Sequence, residues 1–243
     1  VTKELEAFTN EELDEVFDHP PIREVAFEIR FAPRLRVTAE LWRLQDRLVE
    51  QYPTASTESV FQPTGSMLTV HVFQNSITGR LIKISHENFV IAFTRYTRFE
   101  DFKEEVISRT DEFFSTFGVN ALTRVGLRYV NNIVIPAAEA ASSLLHFVRP
   151  LMDFDRIPLD DTEQFVNEVR MRYKAHMVTV RGVLLAPLED RRRVYVLDLD
   201  CHSRGPEVAK DIPRLLDEYH DSAQKFFLDH VTEDYKKVMR GKQ

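Results

Sequence analysis

The chain has 243 residues, enough to bury a sizeable core in one large domain or two small ones. Its 43% hydrophobic and 29% charged residues are ordinary for a globular protein, and a formal net charge of −7 argues against general nucleic-acid binding, which needs a positive field to release counterions. One cysteine excludes an internal disulfide and a thiolate-rich zinc site, and no apolar run approaches the ~20 residues that span a bilayer.

Residues 1–20 are acidic and polar and run into Pro20-Pro21, which reads as a loosely docked leader without signal-peptide character. The expected compartment is the cytoplasm. Ile22–Phe31 alternates as a strand, with Val25, Phe27, Ile29 and Phe31 towards a core and Glu24, Glu28 and Arg30 on the other face.

A helix is expected next. Thr38 can cap it, Val37 and Trp42 can form a hydrophobic staple, and Leu41, Leu44, Leu48 and Tyr52 repeat at helical spacing up to Pro53. Polar residues 54–59 read as a loop. Short strands follow at Val60–Gln62, Leu68–Gln74, Arg80–Ser85 and Phe89–Tyr96, with tight turns at Thr78-Gly79 and His86–Asn88.

Phe99–Phe117 carries a phenylalanine-rich stripe, and Gly118 sits where a helix ends in a left-handed residue. Thr123–Pro136 is the segment on which the rest of the reading turns. Alternation puts Val125, Leu127, Tyr129, Asn131, Ile133 and Ile135 on one face, and Arg124, Gly126, Arg128, Val130, Asn132 and Val134 on the other. Pro136 removes an N–H and ends the ladder.

Residues 137–160 hold a modest helix, Ala137–Val148, and then an acidic, proline-containing connection. The expected organisation is therefore a leader (1–20), a first half (21–136), a connecting segment (137–160) and a second half (161–243). Phe165–Ala186 reads as one long extended stretch that places Arg170, Arg172, Lys174 and His176 on a common face. Arg193–Cys201 returns, with Asp198 and Asp200 facing away from Tyr195, Leu197, Leu199 and Cys201. Asp211 can cap a long helix with an apolar stripe from Ile212 to Val231, and Thr232 caps a final turn before a basic tail.

Strands in hairpin runs with helices between the runs predict an α+β fold: an antiparallel sheet with amphipathic helices packed on one side, in two related halves. The segments Pro20–Phe31, Arg124–Asn132 and the helix bearing His220 and Phe226-Phe227 resemble a sporadically distributed family of uncharacterised prokaryotic proteins of about this length. Gly126-Leu127-Arg128-Tyr129 and Asn131 are the most specific part of that likeness. Its patchy distribution is similar to that of defence-island cargo, and implies a role in antiviral defence or a toxin–antitoxin locus.

The residues themselves offer two readings. Arg124, Arg128, Arg170, Arg172 and Lys174, with Asn131 and Asn132, have the donors for an anionic ligand such as a phosphate or nucleotide. Glu24, Glu28, Asp198 and Asp200 could hold a divalent metal for a phosphohydrolase, although the spacing lacks the Glu-x-Glu-x-Lys signature of triphosphate tunnel enzymes. The same residues also fit a ladder of cross-strand ion pairs on a solvated face. Cys201 falls in phase with core residues, and no Gly-rich phosphate or dinucleotide motif occurs, so no catalytic residue or cofactor is expected. The expectation is a non-enzymatic binding or adaptor protein with a protein partner or self-association, an anion-binding protein being the alternative.

Overall fold

The computed structural model describes residues 15–62, 65–135, 144–149, 161–186, 188–189 and 192–241. Most of the leader, the terminating Pro136 and most of the 137–160 connection lie outside these residues.

The fold is α+β, with a nine-stranded antiparallel sheet. Its strands are β1 (Ile22–Arg30), β2 (Thr54–Phe61), β3 (Met67–Asn75), β4 (Arg80–Ile84), β5 (Asn88–Phe93), β7 (Arg124–Ile135), β8 (Phe165–Tyr173), β9 (His176–Leu184) and β10 (Arg193–Ser203). They lie in the order β2-β3-β4-β5-β1-β7-β10-β9-β8. Two short strands, β6 (Ala121–Leu122) and β11 (Glu207–Val208), pair separately. The helices among the described residues are α1 (Leu35–Ala39), α2 (Trp42–Leu48), α3 (Phe99–Phe117), α4 (Leu144–Phe147), α5 (Ile212–His230) and α6 (Glu233–Met239).

The chain divides into two compact units. One comprises residues 24–128 and 202–219; the other comprises 129–201, 220–243 and the segment up to Arg23.

In the first unit, β2 to β5 form a meander whose last strand pairs with β1, with Phe27 opposite Ile91 and Ile29 opposite Phe89. The buried face of β5, with Phe31 just beyond β1, packs on α3. Phe113 stacks on Phe89 at 4.6 Å and meets Phe31 at 5.4 Å, while Phe102 meets Phe93 edge-on at 5.0 Å. Gly118 ends α3 with φ 65°, the left-handed cap expected there. Gly79 has φ 71° at the β3–β4 turn, where the Asn75 side chain receives the Ile77 and Thr78 N–H groups.

On the opposite face Leu68, Val70 and Val72 form a second apolar cluster, flanked by Leu81. Glu58 on β2 reaches across β3 to Lys83 on β4 at 3.1 Å, so these side chains pass over Val70, which lies opposite Glu58. Long polar side chains thus cover apolar surface with their stems.

In the second unit, β8, β9 and β10 form the meander. Buried Val178, Val180, Tyr195, Leu197, Leu199 and Cys201 face one way, and the α5 residue Phe226 packs edge-on against Tyr173 at 5.1 Å. The Thr232 hydroxyl accepts the Tyr235 N–H at 3.2 Å and so caps α6, as the sequence predicts.

Four expectations are corrected. Residues 54–59 are not a loop: they form most of β2, which pairs with β3 along its whole length. The helix expected after β1 is two short helices. Thr38 lies inside the first, its hydroxyl bonded to the Leu35 carbonyl, and Trp42 is exposed rather than stapled. The stretch 165–186 is a hairpin, with Tyr173 paired to His176 and a turn at Lys174-Ala175. Lys174 takes φ 50° there, a conformation that sequence rules reserve for Gly, Asn and Asp. His176 therefore opens β9 on the buried face, and it does not continue the cationic row.

Candidate functional site

In the first unit, alternation on β1 and β7 turns Glu24, Glu28, Arg30, Arg124 and Arg128 away from the buried face that holds Val25, Phe27, Ile29, Val125 and Leu127. Glu28 is the centre of this group. Arg124 Nη1 donates to its Oε2 at 2.5 Å, and Arg30 Nε pairs with its Oε1 at 3.0 Å. Gly126 makes the geometry possible, because a Cβ at that position would stand 2.5 Å from Arg124 Nη1. The guanidinium lies across the place where a side chain would otherwise be. Arg128 is exposed on the same face, and Glu24 is half-buried.

In the second unit the candidates separate further. Asn131 is buried on the core face and its Nδ2 donates to the Leu197 carbonyl at 3.1 Å, tying β7 to β10. That is a structural bond to backbone on the face opposite Asn132. Asn132 donates its N–H to the Pro21 carbonyl at 2.8 Å, and its buried Oδ1 has no hydrogen-bond partner among the described residues.

Asp198 and Asp200 are half-buried on β10. Arg170 and Arg172 are exposed on the edge strand β8, where Arg170 Nε pairs with Glu168 at 2.8 Å and Glu168 lies opposite Arg181 of β9. Lys174 sits in the turn, its ammonium 5.5 Å from the Tyr173 ring centroid. Of the four expected cations, Arg170 and Arg172 alone share a strand face.

The seven ligand candidates are divided between the two units. Arg124 and Arg128 belong to the first unit and the others to the second. In the sheet order β10 and β9 stand between β7 and β8. The four carboxylates divide likewise, Glu24 and Glu28 on β1 of the first unit and Asp198 and Asp200 on β10 of the second. Among the described residues no group of three or more His, Cys, Asp or Glu side chains converges on a metal position. Cys201 is fully buried, and burial pushes its thiol well above the usual range, which leaves it unreactive.

Sequence reasoning missed a buried polar hub in the first unit. Glu105 on α3 accepts the Tyr52 hydroxyl at 2.7 Å, Arg109 Nε at 2.8 Å and Arg80 Nη1 at 2.8 Å. Arg109 also reaches Glu112 and Gln51, each at 2.6 Å. Burial disfavours the Arg109 charge, but its bonds to Glu105 and Glu112 outweigh that and hold its pKa above the usual value. The tyrosine hydroxyl is pushed far up, by burial first and by Glu105 second. The signal was present: Glu105 and Arg109 are four apart on a helix, beside Val106 and Phe102 on its buried stripe. Every oxygen of Glu105 is engaged, so the hub organises the core.

Comparison with protein-family models and with curated proteins finds no match to the chain. Among the described residues no helix is long and apolar enough to cross a membrane.

Proposed function

We propose that the chain is a non-enzymatic binding protein, and that the open face of β8, β9 and β10 receives a protein partner. One observation supports this reading above the others. On that face the charges are interleaved: Glu168 with Arg170 on one strand, Arg181 opposite Glu168 on the next, and Asp198 and Asp200 on the third. An anion site needs convergent donors of one sign, whereas mixed signs with apolar side chains between them suit a protein surface. Val166 supplies such apolar area, at 53% exposure.

The likeness to a sporadically distributed prokaryotic family makes a companion protein of a defence or toxin–antitoxin locus the expected partner. Such a contact would bury about 1,000 Å² or more. The test is native mass spectrometry of the chain captured from its host, beside a variant carrying Arg170→Glu and Arg172→Glu. A companion protein that is retained and then lost with the double reversal supports the reading. A small anionic mass that disappears in Arg128→Ala overturns it in favour of an anion-binding protein.

A further inference from the structure

The two ends of the sheet are built differently. The outer strand β8 carries Glu168, Arg170 and Arg172, charges that discourage another strand from pairing. The other outer strand, β2, has the sequence Thr-Ala-Ser-Thr-Glu-Ser-Val-Phe, with no proline, lysine or arginine over its eight residues. All of them are exposed, and among the described residues β2 pairs with β3 alone. Its one charge, Glu58, is drawn inward to Lys83. Phe61, Val60 and the facing Met67 are exposed at the hairpin end, Phe61 to 70%.

The backbone of this edge can be read in detail. The Gln62 N–H bonds to the Ser66 carbonyl just beyond the hairpin's paired region. In an antiparallel ladder the inward-bonded residues alternate with outward ones. Residues 60, 58, 56 and 54 therefore bond to β3, while Ala55, Thr57, Ser59 and Phe61 direct their N–H and C=O groups outward.

We infer that β2 is the pairing edge for a second copy of this chain, joined antiparallel about a two-fold axis at Thr57. The sequence is self-complementary in that register. Thr57 faces the second copy's Thr57, and Ala55 faces its Ser59, all outward-bonding residues. Ser56 faces Glu58, so like charges never meet, and threonine pairs are favourable across strands. A register shifted by two residues would set Glu58 against Glu58, which disfavours it. Pro53, lacking an N–H, falls opposite Phe61 of the second copy and so stops the added ladder at each end. A two-fold contact of this kind closes on itself and leaves β8 as the outer strand at both ends. This surface differs from the one proposed above, and the two stand or fall separately.

Sedimentation velocity of the full chain across a concentration series tests it, with Thr57→Pro and Thr57→Val as variants. The Thr57 N–H makes no bond to β3, so proline there leaves the hairpin ladder intact while removing the axial bonds. The expected result is a dimer for the native chain and for Thr57→Val, and a folded monomer for Thr57→Pro with an unchanged circular dichroism spectrum. If Thr57→Pro does not fold, Thr57→Lys replaces it: two lysines at the axis repel, and the expected product is again a monomer. A native chain that stays monomeric up to about 100 µM, a weak-affinity limit, overturns the inference. So does a dimer that persists in the folded Thr57→Pro or Thr57→Lys variant.

Discussion

Tyr52 donates its hydroxyl to Glu105 across 2.7 Å, linking the end of the α2 segment to the middle of α3. Both are buried, and the same carboxylate neutralises Arg109. Removing the tyrosine hydroxyl takes away one donor among three. Tyr52→Phe is expected to cost about 1–2 kcal/mol in urea unfolding. Glu105→Ala takes the shared acceptor from Tyr52, Arg80 and Arg109 Nε, leaves Glu112 as the remaining carboxylate on Arg109, and is expected to cost more, about 3 kcal/mol. Equal losses for the two would show that Glu105 is not the hub.

Two glycines predict opposite outcomes. A Cβ on Gly182 would lie 2.0 Å from Tyr195 Oη and 2.4 Å from Asn167 Oδ1, the tyrosine fully buried and the asparagine half-buried on β8. Gly182→Ala should lower stability by about 1–3 kcal/mol, because the ring has no room to retreat. The three atoms nearest a Cβ on Gly126 all belong to the Arg124 guanidinium, the end of a flexible side chain. Gly126→Ala should keep the fold and displace the guanidinium from Glu28. Thermal melts of the two variants make the comparison.

The Arg124–Glu28 pair is mostly shielded, with each side chain 19% exposed. A double-mutant cycle with Arg124→Met and Glu28→Gln is expected to give a coupling of about 1 kcal/mol that weakens little with salt. A coupling near zero at all salt concentrations would place the pair with ordinary solvated ladders.

His230 sets a pH dependence. Burial lowers its pKa from the ordinary 6.5, and its Nδ1–H bond to the Phe226 carbonyl offsets this only in part. The folded state therefore prefers neutral imidazole, while the unfolded chain takes up a proton near 6.5. The associated stability is fully present above that pH and is lost progressively as pH falls below it. Urea unfolding at pH 7.5, 6.5 and 5.5 should show this decline, and His230→Gln should flatten it.

Much of the architecture was readable because burial leaves periodic marks. α3 carries its stripe and its terminal glycine in plain view, and β7 alternates faithfully: Val125, Leu127, Tyr129, Asn131, Ile133 and Ile135 are all buried. β2 was unreadable for the converse reason. Neither of its faces is covered, so nothing selects apolar residues at every second position. The turn at Lys174 was missed because a left-handed lysine carries no compositional signal. For the candidate site, alternation placed Arg124 and Arg128 on the right face. It could not supply the partner of Arg124, since Glu28 lies 96 residues away in sequence. Nor could it show that Asn131 spends its amide on Leu197.

The pairing of β1 with β5 has a consequence in time. Ile29 meets Phe89, 60 residues later (89 − 29), so β1 cannot complete its side of the meander until β5 has emerged from the ribosome. At translation rates of about 5–20 residues per second, that interval is roughly 3–12 s. For those seconds Val25, Phe27 and Ile29 lack the β5 neighbours that later bury them. A slow codon between Phe31 and Phe89 lengthens the exposure, and a fast run of codons shortens it. Synonymous changes in that window therefore bear on the yield of folded protein, although they alter no residue.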